Sequence, residues 1–248
     1  MRVVELWRYP VKSMQGERVD TAGVGPRGLL GDRRWAVVDL TTGLALTARR
    51  EPRLLFATAR LGDDRGDTVA ITLPDGSTAD GDADLSAWLG HPVALRRAAP
   101  DVHGTYEIAT DPEDEDGSPW VTWDGPSGSF HDSGRTQVSI ASTASIGAWD
   151  RRRFRANVVV DGRGEDQLIG RTIGLGTADV EVVKRIDRCV VTTRPQPDGI
   201  ERDVDVLRTI NAERDGCLGI GAVVRTPGRV TIGDELTLVS SGVTPPAG

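Results

Sequence analysis

The most informative stretch of this chain is Lys184-Arg185-Ile186-Asp187-Arg188-Cys189-Val190-Val191-Thr192-Thr193. It places Cys189 directly after an Asp-Arg pair, between two β-branched segments, and the sequence has only one other cysteine, Cys217. Arg188, Arg185 and Lys184 put the Cys189 thiol in a positive potential, which favours the thiolate that binds metals and attacks electrophiles. A lone cysteine in an apolar run is also compatible with a buried structural thiol, so the rest of the chain has to decide.

Short β-like runs surround this stretch and are bounded by Gly, Pro or Asp-rich turns, which predicts a mainly β fold with a few helices. The predicted strands include residues 2–9, 36–40, 54–61, 68–73 and 93–96. Helical spacing of apolar residues or capping residues predicts helices within 84–89, 142–149 and 204–214. Many short strands with few helices indicate a β-barrel or sandwich and not a doubly wound sheet.

The composition excludes several classes of protein. The 248 residues carry a formal net charge of −7 without a long Lys or Arg run, which argues against a nucleic-acid partner. Two distant cysteines form neither a disulfide framework nor a zinc knuckle, and no apolar run is long enough to span a membrane. We therefore expect a cytoplasmic, monomeric protein. The acidic, Pro-containing stretch at residues 111–117 predicts a loop near a domain boundary, and residues 243–248 predict a frayed tail.

Familiar catalytic motifs are missing. The sequence has no GxGxxG after a strand, no GxxxxGK[ST], no GxSxG and no HExxH. Its three histidines, His91, His103 and His131, share no metal-ligand spacing, and His91 reads as a turn residue. Simple hydrolases, kinases and Rossmann dehydrogenases are therefore disfavoured.

Four segments place cationic or hydroxyl side chains at predicted turns. They are YPVKS at 9–13, GLLGDRRW at 28–35, FRAN at 154–157 and DRC at 187–189. Lys and Arg together with Ser and Asn hold phosphorylated ligands by charge-assisted hydrogen bonds. Each segment alone is more typical of a surface turn with solvated charges, but together with the thiol the segments indicate an anionic ligand that carries a metal at its other end.

These residues are also where the chain resembles a known family, the MOSC superfamily (molybdenum cofactor sulfurase C-terminal domain proteins) with its N-terminal β-barrel domain. Within that superfamily it resembles the mitochondrial amidoxime-reducing component and its bacterial relatives. The strings YPVKS, GDRRW, LTARREPRL, FRAN, DRCVVTT and PGRVTIGD occur in the family's order between residues 9 and 234. The resemblance implies an N-terminal β-barrel domain at 1–97, a linker at 98–130, a MOSC β-barrel domain at 131–240 and a flexible tail at 241–248.

The resemblance further implies a molybdenum pterin cofactor gripped between the two domains. Cys189 matches the cysteine whose thiolate ligates molybdenum, as suits a soft sulfur ligand, and would be catalytic. Asp187 would orient its loop around the cofactor. Asp132 and Ser133 match an Asp-Thr pair near the metal, which assigns Asp132 to catalysis and Ser133 to cofactor binding. The remaining cofactor-binding residues that the resemblance implies are Lys12, Ser13, Arg33, Arg155, Asn157 and Arg188.

The chain also departs from the family pattern. FRPN is FRAN here, which keeps Arg155 and Asn157 and loses backbone stiffness only. Ile220-Gly221 replaces an aromatic near the cofactor of some relatives, so we expect a reshaped substrate mouth. No cysteine cluster for an iron–sulfur centre is present, so electrons are expected from a separate donor protein. The arginines at 151–153 are one candidate docking patch for that donor, with a solvated helix end as the alternative.

Two functions of different classes follow from these expectations. The first is a molybdenum-dependent oxidoreductase that reduces small N-hydroxylated or N-oxygenated molecules. The second is a non-redox carrier, in which Cys189 holds a persulfide or passes the cofactor on. A ligand-binding relative that has lost the cofactor is a third possibility.

Overall fold

The computed structural model describes residues 1–62, 66–111, 115 and 117–239. It confirms the prediction of a mainly β protein with a few helices. Eighteen strands occur in the described ranges. They are β1 (Val3–Arg8), β2 (Glu17–Val19), β3 (Thr21–Gly25), β4 (Gly28–Leu29), β5 (Trp35–Asp39), β6 (Thr58–Leu61), β7 (Val69–Thr72), β8 (Thr78–Ala79), β9 (Val93–Arg97), β10 (Thr105–Ala109), β11 (Trp120–Asp124), β12 (Val138–Ser142), β13 (Val158–Val160), β14 (Thr172–Leu175), β15 (Ala178–Asp187), β16 (Cys217–Thr226), β17 (Gly228–Thr231) and β18 (Leu236–Leu238).

The largest sheet has eight strands in the order β18-β14-β15-β16-β12-β13-β1-β2 and curls into half a barrel. Its apolar face holds the main core, in which Val180, Val182, Ile140 and Ile220 are fully buried. The N-terminal strand β1 pairs antiparallel with β13, and β17 pairs with β3, so the two ends of the chain share hydrogen-bonded sheets. The domain limits stay a prediction, and residues 240–248 of the tail lie outside the described residues.

A second apolar cluster packs the smaller sheets β5-β9 and β6-β7-β8 against the first helix. The strand predicted over 54–61 is only half correct, because a 3-10 helix at Pro52–Phe56 precedes β6. Pro52 starts that turn with a suitable backbone angle, and the Glu51 carboxylate accepts a hydrogen bond from the Arg53 backbone N–H. Local capping therefore outweighs the β-like pattern there.

The three α-helices are α1 (Asp82–Leu89), α2 (Thr143–Ile146) and α3 (Asp205–Arg214). The last two lie within the predicted regions, and α1 begins two residues earlier than predicted. The side chain of Ser142 accepts a hydrogen bond from the Ser145 backbone N–H and so begins α2. Among the described residues, we find no helix with the length and apolar character needed to cross a membrane. Most of the acidic stretch at 111–117, namely 112–114 and 116, lies outside the described residues.

Candidate functional site

A cavity of about 490 Å³ opens between the strand ends and loops that carry the four cationic segments. All ten residues proposed from the sequence line it. They are Lys12, Ser13, Arg33, Asp132, Ser133, Arg155, Asn157, Asp187, Arg188 and Cys189. Seven Lys or Arg residues but only three carboxylates line the cavity, although the whole chain has a net charge of −7. The site is therefore a local concentration of positive charge, suited to an anionic ligand.

Three cavity residues adopt a left-handed backbone conformation that L-residues rarely take. Ser13, Arg33 and Arg155 have φ angles of 70°, 47° and 51°, and only two other non-glycine residues in the described chain share a positive φ. Such a conformation costs about 1–2 kcal/mol per residue and persists only where the surroundings enforce it. The Ser13 hydroxyl accepts a hydrogen bond from the Ala48 backbone N–H at 2.9 Å, which holds that turn. Strain thus concentrates where the proposed ligand-binding side chains leave the backbone.

Tyr9 stands between two of these arginines. Its ring lies 5.2 Å from the Arg33 guanidinium carbon and 4.3 Å from that of Arg155. Burial raises the pKa of Tyr9 to about 12, so the phenol stays neutral and both contacts are cation–π contacts. Arg33 also forms an ion pair with the buried carboxylate of Asp32, which in turn accepts a hydrogen bond from the Tyr9 backbone N–H at 2.7 Å.

Arg155 carries the clearest unsatisfied hydrogen-bonding group of the site. Its Nη1 donates to the Met14 carbonyl at 2.7 Å, whereas its buried Nη2 has no protein partner. Burial lowers the pKa of Arg155 to about 10, which still leaves the group charged at neutral pH. A buried donor without a partner is costly and marks a place where a ligand completes the hydrogen bonding.

Lys12 and Asp132 form an ion pair at the cavity wall. The Lys12 Nζ donates to Asp132 Oδ1 at 2.6 Å and to the Phe130 carbonyl at 3.2 Å, and it lies 4.3 Å from the ring centroid of Tyr106. Burial lowers the pKa of Lys12, a shift that Asp132 opposes. Loss of water would raise the pKa of Asp132, but Lys12 and the cavity arginines hold it well below its usual range. The Asp132 side chain is 79% exposed toward the cavity, so it faces any ligand as a carboxylate.

Cys189 presents a free, half-buried thiol to the same cavity. It follows the end of β15 and precedes a 3-10 helix at Val190–Thr193, and its carbonyl accepts hydrogen bonds from both the backbone N–H and the hydroxyl of Thr192. Arg49 reaches the thiol from the other half of the chain. Burial would lower the pKa of Arg49, but the charge interaction and side-chain hydrogen bond with Cys189 raise it. Arg49 lies within the LTARREPRL string, and the sequence alone gives no role to this residue.

Two of the proposed cofactor-binding residues form side-chain hydrogen bonds with other groups of the protein. Arg188 donates to the Leu218 carbonyl at 2.8 and 2.6 Å and to the Phe154 carbonyl at 2.7 Å. The Asn157 amide accepts from the Ser139 hydroxyl at 2.8 Å and donates to a backbone carbonyl of β1 at 3.3 Å. Both residues line the cavity, but these bonds fasten its walls to neighbouring strands, and direct contact with a cofactor stays a prediction.

The surroundings of the two cysteines differ, as the sequence indicated. Cys217 begins β16 opposite Asp187, and its thiol donates to the Asp187 carboxylate at 3.4 Å. Burial and Asp187 raise the pKa of Cys217, and its thiol does not line the cavity. The expectation that Arg185 flanks the Cys189 thiol is wrong, because Arg185 pairs with Asp215 at 3.2 Å. Lys184 lines the cavity and pairs with Asp187 at 2.7 Å.

Two further expectations from the sequence are corrected. Arg151 pairs with Glu5, Arg152 pairs with Asp150 at 3.0 Å, and Arg153 is buried against backbone carbonyls. The three arginines are therefore mostly neutralised and do not form a free basic patch. Ile220 is fully buried in the main core and does not line the cavity, because its side chain points to the apolar face of the sheet.

His131 lines the cavity, although no role was assigned to it. Its ring nitrogen lies 3.2 Å from the Arg27 carbonyl, and burial and the nearby Arg33 lower its pKa to about 4, so the ring is neutral at pH 7. The described residues contain no group of three or more His, Cys, Asp or Glu side chains that could hold a metal ion. Any metal in the cavity would therefore have to arrive with most of its ligands.

Comparison with known proteins finds two family matches that together span most of the chain. The MOSC N-terminal beta barrel domain family matches residues 1–121, and the MOSC domain family matches residues 127–237. Mitochondrial amidoxime-reducing component 1 of Mus musculus is 26% identical, covering 96% of this chain and 82% of the mouse protein. The human component 1 is 39% identical over 28% of this chain and 21% of its own length. The YUAD protein of Bacillus subtilis superimposes with a TM-score of 0.42 at 16% identity, over 96% of this chain and 94% of that chain.

Proposed function

Since this chain belongs to the MOSC domain family, we propose that it binds a molybdenum pterin cofactor in the cationic cavity and reduces small N-hydroxylated compounds. The observation that carries the proposal is the pairing of two features in one cavity, the free thiol of Cys189 and the unpartnered Nη2 of Arg155. The thiol suits a thiophilic metal, and the guanidinium suits a phosphate. The mouse and human relatives are named as amidoxime-reducing components, which agrees with a reductase.

The donor set of the cavity fits such a cofactor. A single thiol with no protein-only metal cluster among the described residues suits a metal that is already chelated by an organic ligand. Arg33 and Arg155 would hold the phosphate, and the Ser13 turn would hold the pterin. Cys189 would ligate the metal, with Arg49 beside the thiolate as a countercharge. When bound, the cofactor supplies two-electron redox chemistry.

Lys12 and Asp132 then account for one of the two protons, and water in the open cavity supplies the other. Reduction of an N–OH group to N–H and water consumes two electrons and two protons. The Lys12 Nζ holds a proton within 2.6 Å of the Asp132 carboxylate, which faces the cavity and stays ionised. The carboxylate orients the N–OH group through a hydrogen bond, and the proton on Nζ is close enough to pass through Asp132 or a water to the departing oxygen.

The electrons are proposed to come from a separate donor protein, because two cysteines cannot ligate an iron–sulfur cluster within these 248 residues. A cytoplasmic location and a monomeric state also stay predictions. The relatives at hand are mitochondrial by name.

One experiment tests this function against the carrier alternative. The protein is purified, its molybdenum content is measured by mass spectrometry, and reduction of hydroxylamine is followed with a chemically reduced viologen as electron donor. We expect stoichiometric molybdenum and turnover that the Cys189→Ser variant lacks. Molybdenum without turnover, or a persulfide on Cys189 in place of the metal, would favour the carrier. Protein that takes up no molybdenum and carries no persulfide on Cys189 would refute both functions.

A further inference from the structure

The β10–β11 hairpin has one apolar face and one mixed face, on which Ala109 and Trp120 lie beside charged and hydroxyl residues. Its register pairs Tyr106 with Trp123 and Ile108 with Val121. Because side chains alternate along a strand, these four apolar residues share one face of the hairpin. Charged and hydroxyl residues such as Glu107 and Thr122 occupy the alternate positions. A two-stranded hairpin with one apolar face has to cover something with that face.

Only one end of the apolar face is covered by the protein core. Tyr106 is fully buried beside Phe130, and its ring lies 4.9 Å from that of Trp123. Trp123, directly opposite Tyr106, is only half-buried and lines the cavity together with Ile108 of the next pair, while Val121 opposite Ile108 is 47% exposed. The apolar face therefore continues from the core into the wall of the cationic cavity.

The opposite face is braced, which keeps this wall in place. Arg50 lies 4.2 Å from the ring centroid of Trp120 and pairs with Glu107 at 2.9 Å. The Trp120 indole N–H donates to the Glu115 carbonyl at 3.0 Å. Arg50 immediately follows Arg49, the residue that contacts the Cys189 thiol, so the brace ties the hairpin to the thiol side of the cavity.

We propose that the strip formed by Ile108 and Trp123 is the specificity-determining wall for substrate, and that it selects N-hydroxylated compounds that carry a flat aromatic ring. The inference rests on the proposed reductase function. Ile186 and Val191 also line the cavity, but they are aliphatic. Among the described lining residues, Trp123 is the aromatic side chain that is not buried, because Tyr106 and Phe154 are enclosed by the protein, so it offers the ring surface available to the non-reacting part of a substrate. A planar ring gains both apolar burial and offset stacking against an indole, whereas a methyl group gains little of either.

The test compares benzamidoxime with acetamidoxime, which share the reacting group and differ in the ring. Binding of each to the molybdenum-loaded protein, without electron donor, is measured by titration calorimetry, and kcat and KM are measured separately with reduced viologen. We expect Trp123→Leu to weaken benzamidoxime binding by about three- to tenfold and acetamidoxime binding by less than twofold. Trp120→Leu on the same strand is the matched control, because Trp120 does not line the cavity and the Arg50–Glu107 ion pair of the brace stays in place without it, so both affinities should change by less than twofold. Ile108→Ala provides a second, smaller truncation of the strip and should weaken benzamidoxime selectively.

The outcomes separate the wall from the reaction. The proposed specificity wall would be refuted if the parent bound both amidoximes with equal affinity. It would also be refuted if Trp123→Leu and Trp120→Leu lost benzamidoxime affinity equally, or if Ile108→Ala left the selectivity unchanged. Selective binding of benzamidoxime without reduction of either compound would support the wall and refute the proposed reductase. Reduction of both compounds with equal KM would support the reductase and overturn the wall.

Discussion

Replacing Arg155 should release the cofactor without unfolding the protein. Its Nη1 is bound to the Met14 carbonyl at 2.7 Å, and its buried Nη2 has no protein partner. A hydrogen bond from a charged group to a phosphate contributes about 1.5–3 kcal/mol. Arg155→Ala should therefore weaken cofactor retention by about ten- to a hundredfold. Arg155→Lys keeps the charge but lacks the planar guanidinium, so it cannot donate to the Met14 carbonyl and to a phosphate at the same time. Its cofactor retention should therefore lie between that of the parent and that of Arg155→Ala.

The cofactor-free protein should tolerate Arg155→Ala. The variant loses the bond to Met14, but it also removes a guanidinium that is held out of water with one nitrogen unsatisfied. Since the cavity is open, water can reach the Met14 carbonyl. We expect these changes to cancel to within about 1 kcal/mol, which for a chain of this size is a shift of about 2–4 °C in the unfolding temperature.

The assay measures the molybdenum-to-protein ratio after extensive dialysis and the unfolding temperature of the cofactor-free protein. Arg152→Ala is the control, because Arg152 is paired with Asp150 and does not line the cavity. Arg155→Ala with molybdenum retention equal to that of Arg152→Ala would refute the reasoning. A fall of more than 10 °C in the cofactor-free Arg155→Ala variant would show that the side chain serves the fold.

Three further predictions follow from the site. Cys189→Ser should abolish molybdenum binding while Cys217→Ser retains it, and equal losses in a metal analysis would contradict this difference between the thiols. The folded-state pKa of Asp132 is lowered, so its carboxylate stabilises the fold above the unfolded pKa of about 4 and ceases to do so as the pH falls toward the folded value. Urea unfolding should therefore show a shallower loss of stability below about pH 4 for Asp132→Asn than for the parent. Finally, NADH alone should support no turnover, and a reductase with a small redox carrier should restore it; direct turnover with NADH would contradict this. Charge reversal at Arg151 or Arg152 should change the restored rate by less than about twofold, since both arginines are already paired. A strongly salt-dependent loss of rate in either variant would contradict that expectation.

The local pattern of the sequence was enough to predict the mainly β class, the regions of the three α-helices and five of the eighteen described strands, namely β1, β5, β7, β9 and, in part, β6. These features depend on alternation, capping residues and turn residues, all of which act over a few positions. The exception at residues 54–61 arose because Pro52 and Glu51 favour a 3-10 turn that apolar spacing does not reveal. The difference between Cys189 and Cys217 was visible only in part, since Lys184 and Arg188 are close to Cys189 in sequence, whereas Asp187 contacts Cys217 across 30 positions.

Residue types at predicted turns were enough to propose four cavity segments, and the resemblance to a family supplied the individual assignments, including Asp132 and Ser133, which lie outside those segments. Only the tertiary structure decided which hydrogen bonds of those residues remain available. Arg188 and Asn157 are engaged by strands far away in sequence, whereas one nitrogen of Arg155 is left without a partner. Arg49 meets the Cys189 thiol across 140 positions, a contact that no local pattern can encode. The physical reason is that charges and hydrogen bonds act over a few ångströms in space, and folding alone determines which distant residues come within that range.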